Sequence, residues 1–82
     1  MARKIRGYEK FTSKKGTACC AVSVELPYVP REGVTQLGIK SEICMIYGDE
    51  GSVINKDSIG KELVGFFGYN NGVCVVQSPA VQ

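Results

Sequence analysis

Apolar and polar residues alternate with a period of two over much of the chain, the spacing of strands that bury one face. From 3 to 12, Ile5, Gly7, Glu9 and Phe11 fall on one side and Lys4, Arg6, Tyr8 and Lys10 on the other. The second side is thus cationic with a tyrosine at its centre. From 17 to 26, Ala18, Cys20, Val22, Val24 and Leu26 alternate inward against Cys19, Ala21, Ser23 and Glu25 outward. Between these runs Ser13-Lys14-Lys15-Gly16 places a glycine where a positive φ is wanted, which predicts a β-hairpin. Pro27, Pro30 and Gly33 then break the pattern and predict an exposed loop over 27–36. A third strand follows from Leu37 to Tyr47, stopped by Gly48-Asp49-Glu50-Gly51.

The stretch 55–60 carries the helix signals, with Asn55 as N-cap and Gly60 as terminator. A fourth strand is predicted from Lys61 to Tyr69 and a fifth from Val73 to Gln77, joined by the hairpin signal Asn70-Asn71-Gly72. The tail Ser78 to Gln82 is expected to leave the sheet, because Pro79 has no N–H to donate to a central ladder. Three strands, a helical turn and two strands predict an all-β fold. The order is that of a small five-stranded OB-like Greek-key barrel with one short helical turn between strands 3 and 4. A small SH3-like barrel is the nearest competitor.

The chain has 82 residues, 44% of them hydrophobic, which suits one domain spanning 1–82. No apolar run approaches the roughly 20 residues a membrane helix needs, and no membrane association is expected. Met1-Ala2-Arg3-Lys4 is followed by Ile5-Arg6-Gly7-Tyr8-Glu9 and not by an apolar stretch, so the expected location is cytoplasmic. In that compartment Cys20, Cys44 and Cys74, set in apolar strand-like runs, are expected to be buried, reduced thiols. Cys19 and Cys20 are adjacent and there is no histidine, so no zinc motif is present and no metal or cofactor is expected.

The formal charge of +2 is unevenly spread. Residues 1–15 hold Arg3, Lys4, Arg6, Lys10, Lys14 and Lys15 against Glu9 alone, a balance of +5, while the remainder carries −3. One end of the chain is suited to an anion. General acid–base work most often uses histidine, and the acids are scattered singly, so no catalytic residue is assigned. Binding to single-stranded nucleic acid fits better, since it takes cations along the phosphates and aromatic rings under the bases. The candidates are Arg3, Lys4, Arg6, Lys10, Lys14 and Lys15 for the phosphates and Tyr8, Phe11 and Tyr69 for the bases. Tyr8 leads because it shares a face with Lys4, Arg6 and Lys10. Phe11 shares the parity of Ile5 and could be core. Of Phe66 and Phe67, one must point inward, while Tyr28 and Tyr47 carry a structural reading. A lysine-rich turn taken alone is more often merely a soluble tip; the coincidence of six cations, an aromatic and a barrel-like strand order tips the balance.

These features resemble the small OB-fold single-stranded-DNA-binding proteins of filamentous phages and related mobile elements. The shared motifs are Ser13-Lys14-Lys15-Gly16, the glycine-led strand entry Ile59-Gly60-Lys61-Glu62-Leu63-Val64 and the closing Phe67-Gly68-Tyr69-Asn70-Asn71-Gly72. The resemblance implies a homodimer that coats single-stranded DNA cooperatively and without sequence preference. Where that family places a stacking tyrosine just past the first turn, this chain has Ala18, Cys19 and Cys20. Two other readings stand beside it: a protein-interaction module that recruits a partner to the strand from Leu37 to Tyr47, and a small RNA-binding barrel.

Overall fold

The computed structural model describes residues 3–29 and 31–82. Met1, Ala2 and the loop residue Pro30 lie outside the described residues. Five strands form one mixed sheet: β1 Lys4–Thr12, β2 Ala18–Pro27, β3 Ile39–Tyr47, β4 Leu63–Asn70 and β5 Val73–Val81. The spatial order is β1-β2-β3-β5-β4, antiparallel except for a short parallel contact between β3 and β5 at Cys44/Cys74 and Met45/Val75. The end strands approach at one point, where Ile5 N–H donates to Lys61 O and Leu63 N–H to Arg3 O, both at 2.8 Å. Beyond that point they are not paired, and the sheet does not close.

Both predicted hairpins form with the expected turn chemistry. Gly16 has φ +86°, and the first turn is tied by Gly16 N–H donating to Ser13 O and Thr17 N–H to Ser13 Oγ. In the second, Asn71 and Gly72 both have positive φ, the geometry that matches the twist of the flanking strands. Between β3 and β4 the single expected helical turn is instead two 3-10 segments, Gly48–Val53 and Lys56–Ser58. Asn55 caps the second as expected, its Oδ1 accepting from Asp57 N–H at 2.8 Å while its own N–H donates to Ser58 Oγ. The first starts at the glycine expected only to stop the third strand. It is tied to β5 by Glu50 Oε2, which accepts from Ser78 N–H at 2.8 Å, a contact 28 residues away that no local pattern encodes.

The core consists of Ile5, Cys20, Val22, Val24, Leu26, Cys44, Ile46, Ile54, Leu63, Cys74 and Val76, with Tyr8, Phe67 and Val81 packed against it. All four cysteines are buried, Cys19 included. Three expectations need correction. A bulge between Ile5 and Gly7 inserts Arg6 and shifts the parity of β1, so Tyr8 stands opposite Val22 and Lys10 opposite Cys20, on the core side. Glu9 and Phe11 turn outward in exchange. β3 starts at Ile39, leaving Leu37 in the loop. β5 runs through Pro79 to Val81, because a second irregularity between Val64 and Phe66 leaves Pro79 without a cross-strand partner, so its missing N–H costs no ladder bond.

Candidate nucleic-acid interface

Directly opposed residues of an antiparallel ladder project to the same side of the sheet. The register therefore builds the outward face of β1, β2 and β3 from three rows: Gly7, Ser23 and Ile43; Glu9, Ala21 and Met45; Phe11, Cys19 and Tyr47. The pairing of Met45 with Val75 continues the face onto β5, and Gly68 and Phe66 continue it onto β4. Three aromatics on this face keep much of their area in solvent, with Phe11 at 44%, Tyr47 at 46% and Phe66 at 73%. Phe11 and Tyr47 are two strand spacings apart, about 10 Å, with Cys19 between them. Past this row the chain turns through Lys14 and Lys15, both exposed. Rings and cations thus meet at the hairpin end, whereas Glu9 occupies the middle row.

The other predicted residues are divided among three places. Lys4 and Arg6 lie at the far end of β1, where Arg6 Nε is 3.7 Å from Glu25 Oε1. Both side chains of that pair are well exposed, and such surface pairs contribute little, so the guanidinium remains open to exchange of partner. Tyr8 and Lys10 face the core side, with Lys10 Nζ 5.8 Å from the Tyr8 ring centroid. The ring that sequence placed at the centre of the cationic face is instead packed against the core. Arg3 and Tyr69 come together at the end of the sheet remote from the hairpin tip, where they wall one groove with Tyr28, Arg31 and Lys40.

Around Tyr69 the geometry is specific. Its hydroxyl donates to Glu42 Oε1 at 2.6 Å, and this bond, followed by a smaller effect of burial, raises its pKa. The ring itself is 64% exposed. A fixed hydroxyl with an exposed ring is a surface already oriented for stacking. Arg3 lies over the Phe67 ring, its guanidinium carbon 3.8 Å from the centroid. Arg3 Nε and Glu42 Oε2 are buried without hydrogen-bond partners among the described residues.

Glu42, Cys44 and Cys74 bring a carboxylate oxygen and two sulfurs within 4.8 Å of one another, a spacing that could hold a soft metal ion. Burial works against it, since loss of solvent is the main cause that pushes the Cys44 thiol up to about 12 and also raises Cys74. A metal would have to displace the thiol protons, and the Arg3 guanidinium adds a positive charge nearby. Among the described residues no helix is long and apolar enough to cross a membrane.

Sequence reasoning missed Tyr47, Tyr28, Arg31 and Lys40. Tyr47 had a readable signal, because it shares the parity of Ile43 and Met45 and opposes that of the buried Cys44 and Ile46. The other three are gathered by a loop whose path the pattern does not specify. No protein-family model matches the chain, and no curated protein does either.

Proposed function

We propose that the chain is a sequence-tolerant single-stranded-DNA-binding protein of a phage, prophage or plasmid, a non-enzymatic accessory to replication or packaging that works as a homodimer in the cytoplasm. The observation that carries this reading is the row Phe11, Cys19 and Tyr47, two exposed rings on one outward row that runs directly into Lys14 and Lys15. Bases stack on rings at roughly 1–3 kcal/mol each, and lysines neutralise the adjoining phosphates.

The wiring supports it as well. The order β1-β2-β3-β5-β4, the parallel contact of β3 with β5 and the approach of Lys4 to Glu62 match an OB-like Greek-key barrel left partly open. In that architecture the face of strands 2 and 3 and the two hairpin loops are the usual oligonucleotide contacts. The unpaired edges of β1 and β4 give a second copy something to cover, which favours a two-fold dimer. Light scattering on an eluting peak is expected to give twice the chain mass; a monomer at every concentration would remove the dimer.

The test of the function compares labelled oligo(dT), oligo(dA), oligo(rU) and a duplex of equal length by fluorescence anisotropy. Comparable affinity for the two DNA single strands, with the duplex and the ribo-oligomer weaker, is expected. Preference for the duplex, or no binding to any of them at low salt, rules the reading out. Tighter binding to oligo(rU) would favour RNA as the ligand.

A further inference from the structure

The cations counted along the sequence cluster near the N-terminus, but the fold assembles another set from distant segments. Arg3 precedes β1, Arg31 sits in the loop after β2, Lys40 is the second residue of β3 and Tyr69 the last but one of β4. They meet in an open groove of about 280 Å³, which Tyr28 also lines. That size is at the small end of ligand sites, suited to one compact group and not to a protein segment.

We infer that this groove is a second contact for the bound strand and holds one nucleotide unit, its phosphate against Arg31 and Lys40 and its base against Tyr69 or Tyr28. The inference rests on the single-strand reading above and extends it to a surface that the hairpin does not reach. Three features select the ligand. No carboxylate among the described residues lines the groove, and the nearby Glu42 accepts from Tyr69. Among the described residues the one ion pair is that of Arg6 with Glu25, so Arg3, Arg31 and Lys40 have no acidic partner. Three positive charges gathered against the single nearby carboxylate of Glu42 leave a net positive field, which becomes favourable when an anion enters.

The rings decide what kind of anion. Tyr69 is held by its hydroxyl with its face in solvent, and Tyr28 is about one-third exposed, 36%. An inorganic anion would leave both faces unused, whereas a nucleotide covers a ring and a cation together. Arg3 itself lines the same groove and adds its positive charge to the wall.

The test is anisotropy with labelled oligo(dT) on three double variants: Arg31→Glu with Lys40→Glu, Lys14→Glu with Lys15→Glu, and Lys56→Glu with Lys61→Glu as a charge-matched control. The groove variant is expected to lose at least tenfold in affinity and to flatten the salt slope by about 1.4, two phosphates at roughly 0.7 each on a single strand. The control should lose much less. A groove variant that binds like wild type, or no worse than the control, while the hairpin variant is weakened overturns the groove and leaves the function standing. A wild-type protein that binds no oligo(dT) overturns both. Photo-crosslinking with 5-iodouracil in the oligonucleotide gives the independent readout: adducts on Tyr28 or Tyr69 support the site, and adducts confined to Phe11 and Tyr47 contradict it.

Discussion

Phe11 and Tyr47 flank Cys19 on one outward row of the sheet, each with close to half of its surface in solvent. Neither ring is required by the core, so their truncation separates binding from folding. Phe11→Ala with Tyr47→Ala is expected to lower oligo(dT) affinity by about 30- to 900-fold, the lower half of the roughly 2–6 kcal/mol that two stacked bases supply, with a melting temperature within a few degrees of wild type. Unchanged affinity in anisotropy would mean that the strand does not cross this face.

Tyr8 should behave in the opposite way. It stands across from the fully buried Val22 and packs on the core. Tyr8→Ala is expected to cost about 1–3 kcal/mol of stability, less than a fully buried aromatic, read as a lower urea midpoint, with affinity of the folded fraction little changed. A variant of normal stability that fails to bind would return Tyr8 to the interface.

These two residues show what the sequence could and could not reveal. Both hairpins, the Asn55 cap and the order of strands were legible, because glycine, asparagine and period-two alternation act locally. The faces of β1 were not, since one inserted residue at Arg6 reverses every later side chain, and the one local hint of a bulge, Gly7 inside a strand pattern, does not say which residue is inserted. Pro79 misled for a related reason: a rule about paired strands was applied to a residue that skips its pairing. The groove of Arg3, Arg31 and Lys40 was hidden because it depends on the path of the eleven-residue loop between β2 and β3.

The irregularity in β4 has its own test. Gly65 has φ +154°, and a Cβ there would sit 3.0 Å from Gln77 O and 3.0 Å from Val76 Cγ1, while Gly68 has open space. Gly65→Ala is therefore expected to destabilise by about 1–3 kcal/mol, and Gly68→Ala by well under 1 kcal/mol, both read from urea denaturation. Equal effects would place the bulge elsewhere.

The buried thiols set a pH dependence. Cys44 is pushed up to about 12 by loss of solvent, and Cys74 is raised for the same first cause. A group whose folded pKa is raised contributes stability that is present below its ordinary value and lost as pH rises through the folded value. Stability is thus expected to hold to about pH 9 and to fall between there and about 12, with Tyr69 adding to the decline above 10. In the native state Cys44 and Cys74 should react with a thiol reagent at neutral pH far more slowly than in urea. Rapid labelling of both without denaturant would contradict their burial.

The central claim, that phosphates are held by side chains of the folded surface, is tested most directly by the salt dependence of wild-type affinity for oligo(dT). Each phosphate contact on a single strand contributes a slope of about −0.7 in log K against log salt. Lys14 and Lys15 with the groove pair Arg31 and Lys40 make four contacts, and a slope near −3 is expected. Binding that does not change from low to high salt would contradict it.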